Sequence, residues 1–206
     1  MTYKYGLLLL FSAVLLGCDK FEQLGSPLKQ VVVKVNSLAN IKEIEQILYK
    51  RFSEHKVSIF SRIDSSIDGD TITYTFKWDS PSKDKVDYLI KHKGNLVVRA
   101  SVGYIWFTSR DINHSSVKKE EDRNYLIFGV QDSAVPKIRR LSRKNIGKEM
   151  LMELDGELIS RAVIKDELGK WFLVDLEKEY DELSLISTLL ETGPLPEELV
   201  IVRNEL

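Results

Sequence analysis

Of the residue types able to carry covalent or metal chemistry, this 206-residue chain offers one thiol, Cys18, and three imidazoles, His55, His92 and His114. A lone thiol can form neither a disulfide within the chain nor a zinc site built on several thiolates. The histidines are far apart in polar surroundings, with no His-x3-His spacing and no nearby acidic helix, so no metal site is expected from them. Serines are abundant, yet Gly-x-Ser-x-Gly does not occur, and the glycines are scattered singly rather than gathered into a phosphate-binding loop. Asp155, flanked by Glu153 and Glu157, is the one tempting acid for proton transfer. It precedes Gly156 between two apolar runs, however, and Asp-Gly in that setting is first of all a hairpin turn. No nucleophile, base and orienting group can be assembled, and the expectation is a protein that is not an enzyme, with no cofactor and no metal.

Charge offers a second kind of chemistry. At about 100° per residue, Lys137, Arg140 and Lys144 fall within about 60° of one another on a helix, while Val135, Ile138 and Leu141 turn toward the core. This basic face is either solvated or a contact surface for anionic headgroups or an acidic partner. Should it be only solvated, Tyr104, Trp106 and Phe107 are the next candidates for contact. Nucleic acid is not an expected partner, because 30 Lys and Arg against 31 Asp and Glu leave a formal charge of -1. The run KKEED at 118–122 reads as an exposed loop.

The position of the thiol is informative. Lys4 is followed by an apolar block over residues 7–16, then Gly17 and Cys18, the pattern of a secretory signal peptide. A membrane-spanning helix needs about 20 apolar residues, and this run stops well short of that. Leu15-Leu16-Gly17-Cys18 resembles the bacterial lipoprotein signal, which implies that Cys18 is acylated, with palmitate or similar chains, and begins the mature protein. The competing reading is a small apolar residue incidental to the end of an anchor. Asp19 resembles the sorting signal that keeps some lipoproteins on the inner membrane of double-membraned bacteria, so the outer leaflet of that membrane is the expected address in such a host.

The rest of the chain must position whatever these residues do. With 43% hydrophobic and 30% charged residues it has the composition of a folded globular protein. Residues 18–29 lack periodicity and read as a tether. Residues 30–35 (QVVVKV) form a β-branched strand, and Asn40 with Glu43 suggests a capping box opening a helix through Ile41, Ile44, Ile47, Leu48 and Phe52. A strand over 57–63, a turn at Asp68-Gly69 and a strand over 71–78 follow. Ser80-Pro81 should then open a helix carrying Val86, Leu89 and Ile90, before a last strand over 95–101. Strand, helix, strand, strand, helix, strand is the split βαβ order of ferredoxin-like folds. In the second half, strands are expected over 125–130, 150–154, 157–164, 171–176 and 199–202. Helices are expected from a cap at Ser133 and from about Tyr180 to Gly193.

Several stretches of this second half carry a family likeness. Asn145, Gly147 and Lys148, then Leu154-Asp155-Gly156 and Ser160, then Gly193, Leu195 and Pro196 resemble the N-x-G-K turn, Leu-Asp-Gly strand end and Gly-x-Leu-Pro helix end of the SecD family. FTSRDI at 107–112 is similar to the segment that opens the head of that family's first periplasmic domain. The resemblance implies an α+β fold with a ferredoxin-like base over 30–101 and a SecD-type head over 102–206, after a signal peptide over 1–17. It further implies a stand-alone lipoprotein without the membrane motor, binding exported polypeptide or Sec translocon components in export or envelope assembly. A module holding a small envelope ligand, or inhibiting a partner, is the alternative. A deep pocket with convergent polar groups would favour the ligand, and an apolar groove or free strand edge would favour the polypeptide.

Overall fold

The computed structural model describes residues 29–55, 61–101 and 103–206. Cys18, Asp19, the signal peptide and nearly all of the tether lie outside the described residues, as does most of the expected strand start at 57–60.

The chain runs β1 (Lys29–Lys34), α1 (Ile41–Glu54), β2 (Arg62–Asp68), β3 (Thr71–Lys77), α2 (Lys83–Lys91), β4 (Leu96–Ala100), β5 (Ile105–Thr108) and β6 (Ile112–Glu120). It continues through β7 (Arg123–Val130), α3 (Val135–Arg143), β8 (Glu149–Leu154), β9 (Glu157–Val163), β10 (Trp171–Asp175), α4 (Tyr180–Thr192) and β11 (Val200–Glu205). Among the described residues three antiparallel sheets result: β11-β1-β3-β2, β10-β7-β6 and β5-β4-β8-β9. The fold is mixed α+β.

The first sheet has the ferredoxin-like order, but its fourth strand is not the one expected. Leu96–Ala100 forms as a strand and leaves for another sheet, between β5 and β8. The place beside β1 is taken by β11, with Gln30 opposite Glu205 and Lys34 opposite Val200. Base and head are therefore not consecutive along the chain. The head is an insertion between α2 and β11, and two chain segments cross between the parts, 92–95 going out and 192–199 coming back.

Strict alternation in TITYTFK buries Ile72, Tyr74 and Phe76 from β3 on the face that receives α1, where Phe52 meets the Tyr74 ring edge-on at 5.0 Å. Helix α4, apolar nearly all round, buries Leu183, Ile186, Leu189 and Leu190 and packs on α1 and α2 on one side and on β6 and β7 on the other. It joins the two parts in one continuous core. In the head, Phe128 and Phe172 stack at 5.0 Å beneath Phe107.

Three helix starts differ from expectation. Ser82, two residues past the expected Ser80, caps α2 by accepting from the Lys85 N–H, with Pro81 before it. Ala134 stands at the α3 cap, so Pro136 and not a Ser133 hydroxyl sets that start. A short 3-10 turn over Leu38–Asn40 leads into α1, and Asn40 makes no side-chain cap. The run at 118–122 is not a loop: Lys118, Lys119 and Glu120 belong to β6, paired through a tight turn with β7.

Candidate functional site

The residues that suggested catalysis are each engaged structurally. The Asp155 carboxylate accepts from the backbone N–H groups of Gly94 at 3.2 Å and Asn95 at 2.8 Å, tying the β8–β9 turn to the start of β4. Glu153 is held by Arg99 at 2.5 Å, which keeps its carboxyl below the usual range. His55 meets the Thr188 hydroxyl at 3.0 Å, His92 stacks on Tyr88, and His114 lies 3.5 Å from Glu191. Among the described residues no three or more metal-type ligands gather.

The basic residues are rearranged relative to the helical wheel. Lys137, Arg140 and Lys144 are all exposed, as expected. A shallow recess of about 380 Å³ forms around Val135 and Pro136, lined by Arg139, Arg140, Arg143 and Lys144; Lys137 does not line it. Arg139 and Arg143 share Glu167, at 3.8 and 2.5 Å. The expected apolar trio is split, for Tyr104 is 74% exposed whereas Trp106 and Phe107 are each 1% exposed and belong to the core.

A further feature with open contact capacity lies elsewhere, in a cleft of about 490 Å³ between β9 and β10. Among the described residues both are edge strands, each paired on one side only, β9 with β8 and β10 with β7. Their outer N–H and C=O groups are thus open to another strand. Met150, Met152, Ile164 and Phe172 supply a buried apolar lining. At its margin Val163, Trp171 and Leu173 are 55%, 58% and 57% exposed. Strand β10 is apolar on both faces: Phe172 goes into the core, and Trp171 and Leu173 point outward where polar residues would normally stand.

Trp171 is held in place as well as exposed. It lies opposite Gly129 on β7, and a Cβ at Gly129 would come within 2.7 Å of the indole. His114 meets the ring edge-on at 5.9 Å. Glycine at 129 therefore lets a large aromatic lie flat against the sheet while one side remains free. The apolar run from Trp171 to Leu176 was legible in the sequence as a strand. That both its faces are apolar was the available signal for a contact site, and that β9 and β10 would both be edges was not.

No family model matches the chain, and none of the curated proteins matches it. Among solved structures it is similar to SecDF in the super-membrane-facing form, with a TM-score of 0.72 at 16% identity over 85% of this chain. It is also similar to a structure of SecDF, described as a membrane component that enhances protein export, with a TM-score of 0.68 at 17% identity. The second likeness covers 84% of this chain and 98% of that one; in the first, this chain spans only 30% of the SecDF length. The fold is that of a SecD periplasmic domain.

Proposed function

We propose that this protein is a non-enzymatic component of protein export or envelope assembly, which holds extended segments of exported polypeptide in the cleft between β9 and β10. The observation that carries this reading is the pair of open strand edges flanking an apolar cleft. An incoming strand is recognised through its backbone, so binding tolerates many sequences, while Trp171, Leu173 and Val163 reward apolar side chains. An open, apolar-edged cleft suits a chain passing through better than a small ligand needing convergent polar groups. The SecD-like fold supports the export setting.

On the same proposal the protein is acylated at Cys18 and, where the host has two membranes, retained at the inner membrane by Asp19, outside the cytoplasm; the resemblance of residues 15–19 to a lipoprotein signal supports this reading. Each buried methylene contributes about 0.8 kcal/mol, so two or more acyl chains give stable anchoring. Cys18→Ala is expected to give an unprocessed or released form, and Asp19→Ser to move the protein outward on a density gradient. Processing and extraction unchanged by Cys18→Ala would contradict the anchor. Lys137, Arg140 and Lys144 provide a secondary contact with anionic headgroups or an acidic partner.

The cleft is tested with a permanently unfolded apolar polypeptide as probe. Leu173→Arg and Trp171→Ala are expected to weaken its binding at least tenfold while the unfolding midpoint stays near that of the parent. Binding unaffected by both substitutions would overturn the reading.

A further inference from the structure

Between base and head the chain crosses twice, and one buried side chain holds both crossings. Arg51, on the last turn of α1, is 0% exposed. Its Nη1 donates to the carbonyls of Leu89 at 2.6 Å and His92 at 2.7 Å, at the end of α2 where the chain leaves for the head. Its Nη2 donates to Lys93 O at 2.8 Å on the outgoing segment and to Gly193 O at 3.0 Å on the returning one. Nε donates to the Thr192 hydroxyl at 3.2 Å. The guanidinium thus uses every N–H it has.

A buried cation is costly unless it is compensated. Here the carbonyl ends of α2 and α4 supply that compensation, since each helix C-terminus carries partial negative charge. Burial pulls the guanidinium down to about 10, with Asp155 opposing the shift, so the group stays charged near neutral pH. Gly94 gives it room: a Cβ there would lie 3.1 Å from Nη2, and its φ of +86° suits glycine. Two further ties grip the same crossings. The Leu195 N–H donates to Lys93 O at 2.8 Å, joining the segments directly, and Asp155 holds Gly94 and Asn95 from the head side. On the base, Glu197 accepts from the N–H groups of Asn36 and Ser37.

We infer that Arg51 is a clasp that locks the two-segment neck, so that base and head move as one body and the head cannot swing on the base unless this side chain lets go. A lysine could not replace it in full, because the three N–H groups of one ammonium cannot fill the five acceptors that the guanidinium holds on the two segments. This inference does not depend on what occupies the β9–β10 cleft.

Hydrogen exchange of the purified full chain, followed by mass spectrometry across a denaturant series, reads the clasp. In the parent, peptides from β1 and β3 in the base and from β7 and β8 in the head are expected to lose protection at one shared midpoint. Peptides spanning 89–96 and 190–197 should be as protected as the core. In Arg51→Met the two parts are expected to separate into distinct midpoints, with exchange in the neck peptides at least tenfold faster under native conditions. Arg51→Lys, which keeps the charge, serves if the methionine variant does not fold, and is expected to show the same loosening of the neck. Separate midpoints in the parent, or parent-like neck exchange in a folded variant, would overturn the inference.

Discussion

At Asp155 and Gly156 two residues do work that neither would show in isolation. Their φ angles of 51° and 87° make the tight turn between β8 and β9, and Asp is one of the few non-glycine residues at ease there. A Cβ on Gly156 would meet nothing within 4 Å, so a substitution there reports backbone strain without steric clash. Gly156→Val is expected to cost about 1–3 kcal/mol in urea unfolding. Asp155→Ala is expected to cost about 1–3 kcal/mol by a different route, leaving the Gly94 and Asn95 N–H groups without their carboxylate. A cost below 0.5 kcal/mol at Asp155 would mean that its carboxylate merely sits near the neck (about that much is usual for exposed substitutions). The turn was legible because Asp-Gly between apolar runs has a local cause. The carboxylate's reach was not, since its partners stand some sixty positions earlier.

Among the elements, local pattern marked strands and helices better than it marked their neighbours. LVVRA in β4 buries Leu96, Val98 and Ala100, which says strand and nothing about which sheet. The choice of β11 over β4 beside β1 depends on a pairing between the two ends of the chain, Gln30 with Glu205, beyond any window of sequence. Strand β6 escaped notice because it buries only Ser115 and shows no apolar alternation; it is held by β7 and covered by α4. The packing of α1 on α4 brings a pH dependence with it. Burial, then the charge of Lys85, lowers the His55 pKa from its ordinary 6.5, with Asp181 opposing. The unfolded chain therefore takes the proton first as pH falls. Stability from this site is fully present above about 6.5 and is lost as pH drops through the lower folded value. The urea midpoint is expected to fall between pH 7.5 and 5.5, and His55→Gln to flatten that slope. Asp64 and Glu153, whose pKa values are depressed by ion pairing, lose their contribution only below about pH 4, which separates the two effects. A midpoint constant from 7.5 to 5.5 in the parent would exclude a stability role for His55.

For the whole molecule, the inserted head, the returning strand β11 and the shared helix α4 pack around one continuous core, and the cleft between β9 and β10 lies far along the chain from Cys18. On the proposed reading, anchor, body and cleft together make a protein that meets extended chains at a membrane surface outside the cytoplasm. That claim is tested most directly in cells by a photo-crosslinking amino acid at Leu173, beside the cleft, compared with one at Thr73, on the half-buried outer face of the base sheet. The expected result is adducts at Leu173, absent at Thr73, to a chosen exported polypeptide during its passage, disappearing once its synthesis is stopped. Equal labelling at both positions, or none at Leu173 while that polypeptide is being exported, would contradict the account.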